Sequence, residues 1–159
     1  MEKNLKLVKA CLEGDLQSLK KSIKNEKDLD AKYRSWPLLR WAIQEGHLNI
    51  VEYLVQNGVS VRRRYSDGFT PLDQAVGEGH KKIVLFLLNS GVDVNQKTTN
   101  GTPLHTACAY GLLPMVKILV KHGADITIKD ERGWTGRSYA GYYKRRKLMD
   151  FLDHNLTGR

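Results

Sequence analysis

The amino-acid sequence predicts an all-α solenoid of five helix-turn-helix repeats joined by hairpin-like loops, and three periodic observations predict it. Alanine recurs at Ala10, Ala42, Ala75, Ala107 and Ala140, in steps of 32, 33, 32 and 33 residues. Four positions after these alanines stand Gly14, Gly46, Gly79 and Gly111, with Lys144 as the departure. Apolar pairs keep the same register: Ile50 with Val51, Ile83 with Val84, Met115 with Val116 and Leu148 with Met149. They are matched one turn later by Leu54, Leu87, Leu119 and Leu152. A unit that recurs at this interval cannot bury its apolar face alone, so it must stack on neighbours.

The stretch from Thr102 to Asp125 shows how one unit is punctuated. Thr102 is a natural N-cap, Pro103 sits where a missing amide proton costs nothing, and Gly111 and Gly123 close helices. The first helix is expected over about 103–110 and the second over about 114–122. At the start of the chain, Leu5, Val8, Leu12, Leu16, Leu19 and Ile23 fall at helical spacing around Gly14-Asp15, giving a helix pair over about 4–26. It lacks the Thr-Pro start, as suits a terminal unit with one side in water; its lysines at 3, 6, 20, 21, 24 and 27 fit that solvated role.

In the second unit Pro37 takes the Thr slot and Arg40 the slot of His105, and a second helix is expected over about 48–56. The third begins with Arg62, Arg63, Arg64 and Tyr65 followed by Ser66-Asp67-Gly68, and Asp-Gly between extended arms is a hairpin signal. Its helices are expected over about 71–78 and 81–89. The fourth unit enters through Asp93-Val94-Asn95 and a turn at Asn100-Gly101. Gly101 abuts Thr102, so the aromatic slot filled by Trp36, Phe69 and Trp134 elsewhere reads as deleted. That predicts a shorter tip there, with a recess between Phe69 and Trp134. In the last unit Gly136 replaces Pro, Ser138 replaces His, and Lys144-Arg145 replaces Gly-His, a pattern suited to a terminal cap. Leu148, Met149, Phe151 and Leu152 supply its apolar contacts, and Lys147, Asp150 and Asp153 its polar outer face.

The motif Thr-Pro-Leu-His-x-Ala at Thr102 to Ala107 resembles the ankyrin repeat. So do Thr70-Pro71-Leu72 with Ala75, the pairs Gly46-His47 and Gly79-His80, and Gly123-Ala124-Asp125. The resemblance implies one ankyrin repeat domain over 1–159, with approximate repeats 1–30, 31–63, 64–96, 97–128 and 129–159, the outer two being caps. It also implies protruding finger loops between repeats, a His105 bonded to its Thr, and the loss of that cap and bond at Pro37 and Arg40.

Composition narrows the function. The chain has 159 residues, 41% of them hydrophobic, enough for a core. No apolar run approaches the roughly 20 residues that span a bilayer. The first residues are charged where a signal peptide would be apolar. The reading is a soluble, cytoplasmic monomer, with nuclear location or delivery into a host cell as further readings. Cys11 and Cys108 read as buried free thiols. His47, His80, His105 and His122 each have a structural post in the repeat. No serine sits in a nucleophile elbow, the glycines form no phosphate loop, and no His, Cys or carboxylate cluster has metal spacing. Neither catalysis nor a cofactor or metal is expected. Asn155-Leu156-Thr157 matches a glycosylation sequon by a pattern common by chance. Lys144 to Lys147 read as a solvated cap face, with a nuclear localisation signal as the alternative.

What remains is surface, and the formal charge of +9 favours encounter with acidic partners. The resemblance implies a concave face built from finger tips and first helices. Carried onto this chain, the tip slots are Arg34 and Trp36, then Arg64, Ser66, Asp67 and Phe69. The fourth repeat supplies Lys97 and Asn100, and the fifth Arg132 and Trp134. On the first helices the slots include Glu78, Tyr110, Tyr142 and Tyr143. Trp41 falls either at the edge of this groove or between repeats. The leading expectation is a non-catalytic module that binds a protein with an acidic or mixed surface and an apolar anchor, as an adaptor, an inhibitor or a bacterial effector. The alternative is a sensor of nucleotide or short nucleic acid, stacking bases on Trp36, Phe69 and Tyr65 while Arg62 to Arg64 hold phosphate.

Overall fold

The structure is a computed structural model that describes residues 2–157. Gly158 and Arg159, at the end of the fifth repeat, lie outside the described residues, as does the Thr157 side chain of the sequon. The chain divides into two compact units, one ending at Leu87 and the other beginning at Leu88.

The first unit opens with α1 (Glu2–Glu13), α2 (Leu16–Ser22) and a short α3 (Glu26–Leu29). A two-stranded antiparallel hairpin follows, β1 (Lys32–Tyr33) with β2 (Trp36–Pro37). Then come α4 (Leu38–Gln44), α5 (Leu48–Gln56), α6 (Pro71–Gly77) and α7 (Lys81–Asn89), whose last turn carries the division between units. The first helices stack, α1 on α4 and α4 on α6. Ala42 and Ala75 lie in this stack with no exposed surface, and a larger side chain there would overpack it by about 1–3 kcal/mol. Leu38, Ile43, Ile50 and Leu54 are equally buried, each contributing about 1.5–3 kcal/mol of apolar transfer. The short α3, a helix the sequence reading did not foresee, is tied down by an ion pair of 2.7 Å between Lys3 and Asp28. Asn4 Nδ2 also donates to the Lys32 carbonyl at 3.1 Å.

The Gly-His pairs join successive repeats. His47 Nε2 bonds the Leu12 carbonyl at 2.9 Å, and His80 Nε2 bonds that of Gln44 at 3.1 Å. The second joint explains Gly46: a Cβ there would lie 2.6 Å from the His80 ring, and φ is +77°. A side chain would obstruct the histidine and strain the backbone.

The second unit contains α8 (Pro103–Tyr110), α9 (Leu113–Lys121), α10 (Gly136–Tyr142) and α11 (Arg146–Thr157). Here α8 packs on α9 and α10, and α10 on α11. Thr102 with His105 and Thr135 with Ser138 both form capping boxes, so the serine that replaces His keeps the helix start closed. Arg137 bridges α10 to Asp153 on α11 at 2.5 and 2.9 Å.

Two local readings are corrected. The Asp67-Gly68 hairpin signal produces a tight loop without strands, in which Tyr65 N–H donates to the Phe69 carbonyl at 2.7 Å. The two-stranded hairpin forms one repeat earlier, where Arg34 and Ser35 take φ of 51° and 67°, the mirror-image turn that suits a two-residue tip. The aromatic slot of the fourth repeat is not deleted either. The Gly101 carbonyl accepts from Thr98 N–H at 2.6 Å, just as those of Phe69 and Trp134 accept from Tyr65 and Asp130. Gly101 therefore fills that slot, and the missing residue belongs to the tip. At Gly101 φ is +96° and a Cβ would lie 2.9 Å from the His105 ring, which leaves no room for an aromatic side chain.

Candidate binding surfaces

Within the first unit, the predicted tip and helix residues converge on one side chain that was assigned only a loss. Arg40, in the slot of His105, is 8% exposed, and its guanidinium lies 3.7 Å from the Trp36 ring centre and 4.7 Å from that of Tyr65. Its Nη2 pairs with Asp67 at 2.6 Å. The Arg40 guanidinium holds the Asp67 carboxyl below its usual range, and burial pushes the Tyr65 hydroxyl up. Arg40 thus reaches from α4 to the next finger, so the joint is rebuilt with a different chemistry. Trp41 stacks on Trp36 at 4.8 Å, within the same cluster as Tyr33 at 6.5 Å. It therefore sits at the edge of the tip cluster, half-buried.

Around this cluster Arg34, Arg64, Ser66 and Asp67 are exposed and Phe69 is half-buried. Glu78 at the end of α6 accepts from Gln44 Nε2 at 2.9 Å, while Gln74 donates to Gln44 Oε1 at 3.1 Å. A polar ladder through Gln44 therefore lines the first helices where Glu78 was assigned to a binding face.

In the second unit His105 makes the corresponding reach. Its Nε2 bonds the Trp134 carbonyl at 3.0 Å, and its Nδ1 accepts from Thr102 N–H at 3.0 Å. A carbonyl only accepts, so Nε2 carries the proton and the ring is neutral. Burial first of all lowers the His105 pKa, against the opposing pull of the Trp134 carbonyl and Asp130. Asp130 closes its finger by accepting from Arg132 N–H at 2.9 Å and Trp134 N–H at 2.8 Å, and it takes the Tyr139 hydroxyl at 2.6 Å. Burial alone would raise its pKa, but these donors together hold it below the ordinary value.

Above that joint lies an aromatic row. Trp134 is 5.1 Å from Tyr139 and 5.4 Å from Tyr142, and Tyr142 is 5.0 Å from Tyr143. Tyr142 is 67% exposed and Tyr143 48%, so two of these rings present apolar surface to solvent. Arg132, two residues before Trp134, is exposed, as are Lys97, Asn100 and Tyr110. Sequence reasoning missed Arg40 and Tyr139 as members of the site and named Tyr65 only as a stacking ring of the nucleotide reading. The signal for Arg40 was available: a long cation in a slot whose usual occupant bonds the next finger.

Among the described residues no group of His, Cys, Asp and Glu is arranged to hold a metal ion, and no helix is long and apolar enough to cross a membrane. The repeated helix pairs, capping boxes and Gly-His joints define an ankyrin-repeat protein. Family models for ankyrin repeats match residues 7–98, as three copies, and residues 87–140. The chain belongs to the ankyrin repeat family, whose repeats are protein–protein interaction modules.

The chain is 34% identical to alpha-latrotoxin-Lh1a of Latrodectus hasselti over an alignment covering 84% of this chain and 13% of the toxin. It is 33% identical to palmitoyltransferase AKR1 of Lachancea kluyveri, over 79% of this chain and 13% of that protein. With the human 26S proteasome non-ATPase regulatory subunit 10 it shares 37% identity over 43% of this chain and 31% of the subunit. The chain thus spans 13% of the length of the first two relatives.

Proposed function

We propose that this chain is a non-catalytic module that binds a partner protein through finger tips and first-helix faces, working as an adaptor or as an inhibitor that covers a partner's site. The observation that carries this reading is the row Trp134, Tyr142 and Tyr143, in which the two tyrosines leave 67% and 48% of their surface in water, with exposed Arg132 two residues before Trp134. Tyrosine, tryptophan and arginine are the residue types that dominate interface energies. The formal charge of +9 favours a partner with an acidic or mixed surface. We place its action in the cytoplasm, where two thiols, Cys11 and Cys108, stay reduced. Delivery into a host cell as an effector is compatible with the same chemistry.

Affinity capture with the intact chain beside a Tyr142→Ala/Tyr143→Ala variant tests this reading. Removing two anchors at about 2 kcal/mol or more each abolishes capture of the protein retained by the natural sequence. Undiminished capture by the variant, at an unchanged melting temperature, overturns it. The nucleotide reading fares less well, because two of the three rings it would use for stacking, Trp36 and Tyr65, already carry the Arg40 guanidinium, which leaves Phe69 alone.

A further inference from the structure

Between successive fingers of the first unit lies a pocket of about 290 Å³, walled by the β1–β2 hairpin, the segment Gly58–Ser60 after α5, and residues 63–66. Its rim is basic: Lys32, Arg63 and Arg64 stand against a single carboxylate, Asp30. Lys32 and Arg63 are exposed, and among the described residues neither has a carboxylate partner. Ser60 and Ser66 add hydroxyls to the lining. Tyr65 belongs to the same wall, and its hydroxyl is buried without a hydrogen-bond partner.

We propose that this pocket takes a phosphate monoester, carried by a phosphorylated side chain of a protein partner. Lys32 and Arg63, two cations on one pocket without a carboxylate partner among the described residues, repel each other, and a group with about two negative charges and three acceptor oxygens offsets that repulsion better than a single carboxylate. The volume admits a phosphorylated side chain. A nucleoside gains less here, since the Arg40 guanidinium lies over the Trp36 and Tyr65 rings and Trp41 packs against Trp36.

The test is a nitrogen-15 NMR titration of the full chain with four probes: a phosphoserine pentapeptide, its unphosphorylated counterpart, inorganic phosphate and adenosine monophosphate. The phosphopeptide is expected to give saturable shifts at the amides of Lys32, Ser60 and Arg63 to Ser66. Its affinity should rise with pH through the second phosphate ionisation, near about pH 6. Arg63→Ala and Lys32→Ala, both at exposed positions, should each weaken it about tenfold while leaving the melting temperature unchanged. Absence of saturation at millimolar phosphopeptide, or equal binding of the unphosphorylated peptide, overturns the site. Inorganic phosphate or adenosine monophosphate binding as tightly as the phosphopeptide overturns the proposed source. Since these residues are distinct from Tyr142 and Tyr143, this outcome and that of the capture experiment are read independently.

Discussion

Arg40 in the first unit and His105 in the second stand at the same place in the repeat, three residues after the helix N-cap, and both reach for the following finger. Arg40 does so as a permanent cation, stacked between Trp36 and Tyr65 and paired with Asp67. His105 does so as a neutral ring, donating to the Trp134 carbonyl while accepting from Thr102. The difference shows that the repeat requires a link at this slot without dictating its chemistry. A planar side chain with an N–H on its far edge meets the need, and each finger matches its link in kind: Tyr65 and Asp67 facing the arginine, Asp130 and a bare carbonyl facing the histidine.

Removing the charged link should have the largest effect. Arg40→Ala deletes an ion pair, two ring contacts and buried volume together, and we expect about 3 kcal/mol of destabilisation of the first unit. Urea unfolding with amide exchange at α4 and residues 65–69 measures it, and protection equal to that of the natural sequence would mean the stack is ornamental. His105→Ala should cost about 2 kcal/mol through two buried hydrogen bonds.

Acid should separate the two links. The His105 pKa is lowered on folding, so its contribution is fully present above the ordinary value of 6.5 and is lost as pH falls below it toward the folded value. Protonation would set a proton on Nδ1 facing Thr102 N–H, with Asp130 and Lys97 as the nearby charges acting in opposite senses. Asp67 is also lowered, but from 3.8, so the arginine link holds until the pH falls below that value. Amide exchange at pH 5 against pH 7.5 should therefore show Thr102 to Ala107 loosening while residues 65–69 stay protected. In His105→Ala that pH response should vanish. The smallest effect is expected at Lys144, which stands in a glycine slot with φ of 54°. Lys144→Gly should stabilise the second unit by about 1 kcal/mol, read from its thermal midpoint.

Much of this fold was legible because its punctuation is local. Thr102-Pro103 and the glycines punctuating the repeats placed α5, α7 and α8 at their observed bounds, and Thr70-Pro71 placed the start of α6. Less legible were features set by contacts across repeats. Arg40 read as a missing cap because its own repeat gives it nothing to bond; the partner lies 27 residues on, at Asp67. Gly101 read as a gap because its identity is decided by the His105 ring packed over it. Asp67-Gly68 carries a hairpin signature, yet Asp67 is drawn into the arginine pair, and strands form instead around Arg34-Ser35, which carries no such signature. The tip aromatics were found from their register alone, but whether each faces solvent or a neighbour depended on Arg40 and Tyr139, which register does not reveal.

Each unit also keeps one sulfhydryl in its interior, Cys11 in the first and Cys108 in the second, both without exposed surface and pushed up to about 12 by burial. Such groups are inert toward alkylating reagents until the surrounding helices part. The molecule therefore contains a pair of native timers, and mass spectrometry of the two labelled peptides would record separately when either half breathes.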